Sequence, residues 1–398
     1  MQDRSTLLHS LHFLCLGMIS ISTAFSQTPS HILAAKPAPP IDYVYIAQQA
    51  TNTGPNQVLG YSVAANGKLT PIKGSPFAIN AWTLAVNGKY LFAGTGGYPD
   101  NSGIDTYAIE PGGGLKIVVA NTFPDLYTNS WGAFFLSHTG QTLYGQVHVG
   151  GSEDMLASFS IDKRTGIVSL TQTDYPARYE TSFTLSADNK HIYVAAPEVD
   201  GSEVVTLDTE NWNQFTDPIP NAPPPGYFNP LLFSADPTNH VAGLFASSCY
   251  WCGDPTGYIP TVQLGVYTAD ANGNLTMNGT YKNMPKLPTF MGGASDLKMS
   301  ASGKLLAVSG GAGLQVFHFN GSKPITPYAT LVKTPSPLPT TVPAKQLGWD
   351  NHDHMFTLFA NKLYVFTVTP TSVTQAPGSP YAISGFPGAQ WITVQPLL

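Results

Sequence analysis

Charge is scarce in this chain. Asp, Glu, Lys and Arg make up 11% of its 398 residues, 18 basic against 24 acidic, for a formal net charge of −6. Globular chains usually carry about a quarter. No basic run occurs. Phosphate neutralisation dominates nucleic-acid affinity, so a nucleic-acid partner is not expected. Adhesion to an anionic membrane surface is disfavoured on the same ground. Cysteine is almost missing, with three in the chain. No capped amphipathic helix is recognisable. No Gly-x-Ser-x-Gly elbow, phosphate loop or GxGxxG in a βα context appears, and nothing calls for a cofactor.

Turn and strand formers are abundant instead: 38 Gly, 34 Pro, 19 Tyr and 20 Phe. Gly and Pro punctuate turns, and aromatic residues fit a pleated surface. Stretches such as 58–63, 104–109, 156–161 and 314–319 alternate apolar and polar residues, the pattern of half-buried strands. A larger unit repeats. Segments 84–93, 135–144, 183–194 and 297–308 each join two apolar stretches through a tight polar turn, with looser copies at 231–244 and 347–358. The spacing of about 45 to 60 residues is that of a propeller or similar array.

The seventh copy is divided between the chain ends. Segment 391–395 is an apolar stretch with nothing after it, and 43–47 is a second stretch with nothing before it. Gly74-Ser-Pro-Phe-Ala-Ile79 is echoed by Gly378-Ser-Pro-Tyr-Ala-Ile383. The sequence therefore predicts an all-β, seven-bladed β-propeller at 41–398, closed by pairing of the C-terminal strand with the N-terminal blade. Closure removes the free edges that invite aggregation. The blades fall at 385–398 plus 41–79, then 80–124, 125–176, 177–225, 226–287, 288–337 and 338–384. Proline-rich segments 217–225 and 334–339 mark blade joints.

Residues 1–26 read as a signal peptide. Arg4 opens it, 13–21 is a short apolar core and Ala24-Phe-Ser26 is a small-x-small cleavage site. The core is too short to remain as a membrane span. Residues 27–40 read as a disordered linker. The expected location is periplasmic or extracellular. Cys249 and Cys252 remain in Ser248-Cys-Tyr-Trp-Cys-Gly253. Redox work would need a helix start in a βαβ context. In a loop of an exported all-β chain, the pair reads as a disulfide stapling that loop.

The S-x-x-G-x-x turn with its following apolar run, the Tyr-Val-Ala-type strand and the G-S-P-[FY] joint resemble the lactonase-like, YVTN-type seven-bladed propellers. That group includes 6-phosphogluconolactonases and carboxy-muconate cyclases. The likeness covers nearly the whole chain after the leader, and its motifs concern the fold. It implies a site at the channel mouth in which His, Arg and Glu handle a lactone carboxyl and ring oxygen, with the His placed after Pro and just ahead of an innermost strand. No Pro-His pair occurs here. The equivalent places read Asn80-Ala-Trp82, Asn129-Ser-Trp131, Arg178-Tyr-Glu180, Phe228-Asn229, Ser295-Asp296, Lys345-Gln346 and Gln390-Trp391.

Lactone hydrolysis needs a base for water and a cation for the oxyanion. His148, with Glu153 in the same Gly-rich loop, and Arg178 with Glu180 ahead of the next inner strand are the candidates, against an inter-blade ion pair as the alternative. Trp82, Trp131, Tyr179 and Trp391 are candidate ligand-stacking residues, against packing between blades. Asp350-Asn-His-Asp-His354 could chelate a divalent ion. It falls on a hairpin turn, where Asn and Asp are favoured for backbone reasons, so an exposed turn is expected and no metal is assigned. Three functions stay open: a module binding a carbohydrate-like or lactone ligand, or an envelope protein, at the channel mouth; a hydrolase of a sugar or organic-acid lactone; and a passive interaction scaffold.

Overall fold

The computed structural model describes residues 39–49, 56–97, 100–123, 126–128, 134–149, 153–176, 182–196, 203–212, 214–216, 229–247, 262–277, 284, 295–310, 313–327, 346–359, 362–369, 371–383 and 388–396. All regular elements among them are strands. They form seven antiparallel sheets, one per blade. The expected leader at 1–26, most of the linker, Cys249 and Cys252 lie outside the described residues.

Six blades run through four main strands in chain order, with one added strand in each of two: Leu126–Thr128 pairs with the second strand of the third blade and Tyr381–Ala382 with the third strand of the last. Their first strands are Thr83–Val86, Phe134–Leu136, Ser182–Leu185, Asn229–Ala235, Asp296–Met299 and Leu347–Trp349. The seventh sheet orders Leu69–Pro71, Gln57–Val63, Asp42–Gln49 and Gly388–Pro396. Strand Gly388–Pro396 pairs along the whole of Asp42–Gln49, from Asp42↔Pro396 to Gln49↔Gly388. The C-terminal strand thus supplies the first strand of the N-terminal blade, as the divided repeat implies. The 74–79 and 378–383 echo is also structural. Each copy returns to the third strand of its blade, through Val58↔Phe77 and Leu363↔Tyr381. Ser75 Oγ accepts from the Gly60 N–H and Ser379 Oγ from the Val365 N–H, both at 2.9 Å.

Among the described residues there are seven hydrophobic clusters, and each lies between two successive blades. Every blade is therefore buried on both faces. This corrects the half-buried reading of 58–63, 156–161 and 314–319, while 104–109 is half-buried as expected. In 58–63 and 314–319 only one residue of six is not buried. Second strands go further: Leu305–Gly310 and His354–Phe359 are buried throughout. Strands sandwiched this way need apolar residues on both faces.

The turn between first and second strands is built the same way in each described copy. A side-chain oxygen on its first residue accepts main-chain N–H groups across the turn. Asn87 takes the Tyr90 N–H (2.9 Å), Ser137 that of Thr142 (3.0 Å), Ser186 that of His191 (3.0 Å), Asp236 that of His240 (2.9 Å), Ser300 that of Leu305 (3.2 Å) and Asp350 that of His354 (2.8 Å). The polar turn of the repeat is thus a cap that sets hairpin geometry. The exposed reading of 350–354 is corrected at its ends. Asp350 and His354 are buried, because the cap draws the Asp beneath its turn and the His opens a sandwiched strand.

A ring at the start of the second strand then rests on a turn glycine of the following blade. Tyr43 meets Gly113, Tyr90 meets Gly166, His191 meets Gly273, His240 meets Gly321 and His354 meets Gly67. Gly273 shows why glycine is needed: its φ is +82°, and an added Cβ would stand 2.5 Å from the His191 ring. Gly112 has φ +92° but open space around it. Backbone strain of this kind costs roughly 1–3 kcal/mol. Gly273→Ala is expected to lose that much plus the clash, and Gly112→Ala the strain alone. Urea unfolding of the two variants checks this, and equal losses would contradict the ring-on-glycine contact.

Candidate functional site

The first strand of each blade pairs with the second strand on one side. Its other edge faces the centre of the ring, where its N–H groups have no strand to bond. The neighbouring blade supplies the partner. In five blades the residue four before the hairpin turn, or its equivalent in the closing blade, reaches the main chain of the next first strand. Thr83 Oγ1 accepts from the Phe134 N–H (3.3 Å), Ser182 Oγ from the Phe233 N–H (3.0 Å), Asp296 Oδ2 from the Leu347 N–H (2.8 Å) and Gln346 Oε1 from the Ile392 N–H (3.1 Å). The Trp391 indole N–H donates to the Leu84 carbonyl at 2.6 Å. Thr184 and Ser234 repeat the device two residues further along. These bonds mark the channel wall, and the first-strand starts mark its mouth.

Asp296 is the exceptional member. Hydroxyl, amide and indole groups serve elsewhere, and here a carboxylate does. Its Oδ1 accepts from the Leu297 N–H at 2.9 Å and lies 3.9 Å from Lys298 Nζ. Burial pushes the Asp296 carboxyl above the usual carboxylate range, partly offset by Lys298 and by the two N–H donors. Ser309 stands directly across from Asp296, and Thr357 directly across from Leu347. The Ser309 and Thr357 hydroxyls are fully buried and have no hydrogen-bond partner. Buried hydroxyls are normally satisfied, so this junction between the last two blades holds unused polar capacity.

Among the expected site residues, the structure brings Trp82 and Trp391 to one junction. Trp82 precedes Thr83, and Trp391 bonds Leu84 and packs against the cluster shared by the first two blades. Both are half-buried. His148 lies on the strand Thr142–Val149, its backbone opposite Tyr127 and Asp154. The antiparallel register puts that strand end on the same side of the ring as the first-strand starts. Trp131, Arg178, Tyr179 and Glu180 lie outside the described residues. Asp296 stands in the sequence only as one of the repeat-equivalent places and not as a site candidate, because one Asp at a strand start has no motif. Its signal was positional: it fills a repeat position held by Thr83, Ser182 and Gln346 in other blades.

A cleft of about 230 Å³ lies elsewhere, between the fourth and fifth blades at the hairpin end. Asp188, Asp236 and Asp270 line it, but each carboxylate caps its own turn.

No protein-family model matches the sequence, and no curated protein matches it. Solved structures do. A candidate 6-phosphogluconolactonase of Bacteroides uniformis aligns with a TM-score of 0.59 at 13% identity, over 89% of this chain and 99% of that one. The periplasmic gluconolactonase of Pseudomonas aeruginosa aligns with a TM-score of 0.57 at 16% identity, over 89% and 99%. A hypothetical selenium-binding protein of Sulfolobus tokodaii aligns with a TM-score of 0.60 at 11% identity, over 90% and 93%. The chain has the fold of the lactonase-like seven-bladed β-propellers. At such identity the likeness concerns the fold, which hosts more than one chemistry.

The raised Asp296 carboxyl has a measurable consequence. Unfolded, the group titrates near the ordinary value of about 3.9. Folded, it keeps its proton to higher pH, so it subtracts stability as pH rises through the interval between the two. Urea unfolding of wild type and Asp296→Asn between about pH 4 and pH 7 checks this. The stability difference should move in favour of the variant as pH rises. A constant offset would contradict the shifted carboxyl.

Proposed function

We propose that this chain is an exported lactonase-like propeller that binds a sugar-like or lactone ligand at its channel mouth. The observation that carries the reading is Asp296, a carboxylate at a first-strand start where other blades use neutral groups. A hydroxyl-rich ligand suits such a place. Trp82 and Trp391, at the junction of the first and second blades, offer aromatic surface suited to a sugar ring, and Trp131 and Tyr179 are the further aromatic candidates of the sequence. Export rests on the leader-like 1–26 segment and accords with the periplasmic location of the Pseudomonas gluconolactonase. An envelope protein docked on the same mouth is the macromolecular variant of this reading.

Hydrolysis of the lactone is the second reading, favoured by one observation. A carboxyl held above its usual range is closer to what a general base or acid at neutral pH requires. Arg178 would then grip the substrate carboxyl or phosphate, with Glu180 or His148 as further bases. The two solved structures described as lactonases give this reading its substrate class.

A panel of sugar and organic-acid lactones, with their open acids, tests both. The binding reading expects saturable calorimetric binding without turnover. Asp296→Asn should weaken it by about tenfold, the lower end for a charged hydrogen bond of ~1.5–3 kcal/mol. Turnover by the wild type that falls in Asp296→Asn, Arg178→Ala or His148→Ala moves the assignment to hydrolase. Neither binding nor turnover across the panel contradicts both.

A further inference from the structure

At the hairpin end of the ring, away from the mouth, the last blade meets the first. Asp350 opens the hairpin of the last blade. Its Oδ1 accepts the N–H groups of His352 and His354, both at 2.8 Å, and its Oδ2 accepts from His354 Nδ1 at 2.6 Å. This Asp–His framework also occurs in the fifth blade, where Asp236 holds the His240 N–H at 2.9 Å and the ring nitrogen at 3.0 Å. There the residue between them, Thr238, folds back onto Asp236 Oδ2 at 2.6 Å. In the last blade that residue is His352, and it turns outward to the next blade instead. Its Nδ1 lies 3.3 Å from Asp42 Oδ2.

Facing His352, Asp42 occupies the position at the start of the second strand that Lys89, Lys190 and Lys304 hold in three blades, Gln141 and Asn239 in two and Asp353 in the last. It is fully buried, as is Asp350. A buried carboxylate and an imidazole from facing blades thus meet at the junction of the last blade with the first. One donor atom each from Asp42, Asp350 and His352 fall within 4.8 Å of one another.

We propose that Asp42, Asp350 and His352 form a site for a divalent transition-metal ion of the zinc class, clamping the last blade to the first. Two carboxylate oxygens and one imidazole nitrogen are a borderline donor set, suited to zinc and its neighbours rather than to calcium or magnesium. Donors about 2.0–2.1 Å from a tetrahedral zinc lie roughly 3.3–3.4 Å apart, which the Asp42–His352 separation matches. His354, donating to Asp350, is the outer partner that fixes a ligating carboxylate. The His352 side chain is 49% exposed, so an ion can enter from solvent and keep water as its fourth ligand. Binding releases the Nδ1 proton of His352 or uses the tautomer protonated at Nε2. No redox change is involved.

The test uses the untagged full chain, stripped with chelator and titrated with Zn²⁺ by calorimetry and thermal melting. One ion per chain is expected, with a rise in Tm. His352→Ala, a surface change that leaves the turn cap intact, is expected to weaken Zn²⁺ binding by about tenfold or more and to abolish the rise in Tm. Asp42→Asn should act alike, and His138→Ala, on an exposed turn of the third blade, should bind as the wild type. Co²⁺ added to the stripped wild type should give the intense visible bands of a four-coordinate ion, a readout that needs no variant to fold. No binding of Zn²⁺ or Co²⁺, or binding unchanged in His352→Ala, would overturn the proposal.

Discussion

A propeller has one constraint that packing alone does not meet. The first strand of every blade turns an unpaired edge toward the centre, and unpaired main-chain groups shielded from water are costly. Here Thr83, Ser182, Asp296, Gln346 and Trp391 each reach across to the next blade and bond the main chain of its first strand. The blades are thereby locked in rotation as well as pressed together. The ring-on-glycine contacts do the same work at the hairpin end, holding each second strand against the next blade's turn. Between these two circles of contacts lie the inter-blade cores.

This arrangement explains how much of the fold was legible. The hairpin repeat is readable because each copy needs a capping oxygen at its turn and apolar residues beside it. Asn87, Ser137, Ser186, Asp236, Ser300 and Asp350 are that cap. The divided seventh copy is readable because half a repeat at each end has one simple completion, and Asp42–Gln49 pairs with Gly388–Pro396 accordingly. Burial was less legible. Alternation in 58–63 or 314–319 suggests one wet face, but a blade has two dry ones, and small polar residues such as Ser309 lie within it.

The site was less legible still, for a physical reason. A hairpin is a local object, and a channel mouth is not. Asp296 sits beside Leu347 only because two blades are adjacent, and Asp42 meets His352 only because the ring closes. Neither pair has a sequence spacing to read. Asp296 can be found afterwards as a departure from a repeat position, a carboxylate where Thr83, Ser182 and Gln346 stand, and His352 as one where Thr238 stands in the matching Asp–His turn. The two ends of the molecule accordingly differ. The hairpin end is occupied by caps and inter-blade contacts. The mouth end carries Asp296, Trp82 and Trp391, and it is where the ligand-binding reading rests.

The central claim is that side chains of one blade satisfy the channel-edge amides of the next. Amide hydrogen exchange measures this most directly. The N–H groups of Phe134, Phe233, Leu347 and Ile392 should exchange slowly, at rates comparable with amides inside the sheets such as Leu306 and Phe356. Exchange as fast as that of exposed turn amides such as Asn351 would show that these edges are open to water, and would contradict the account.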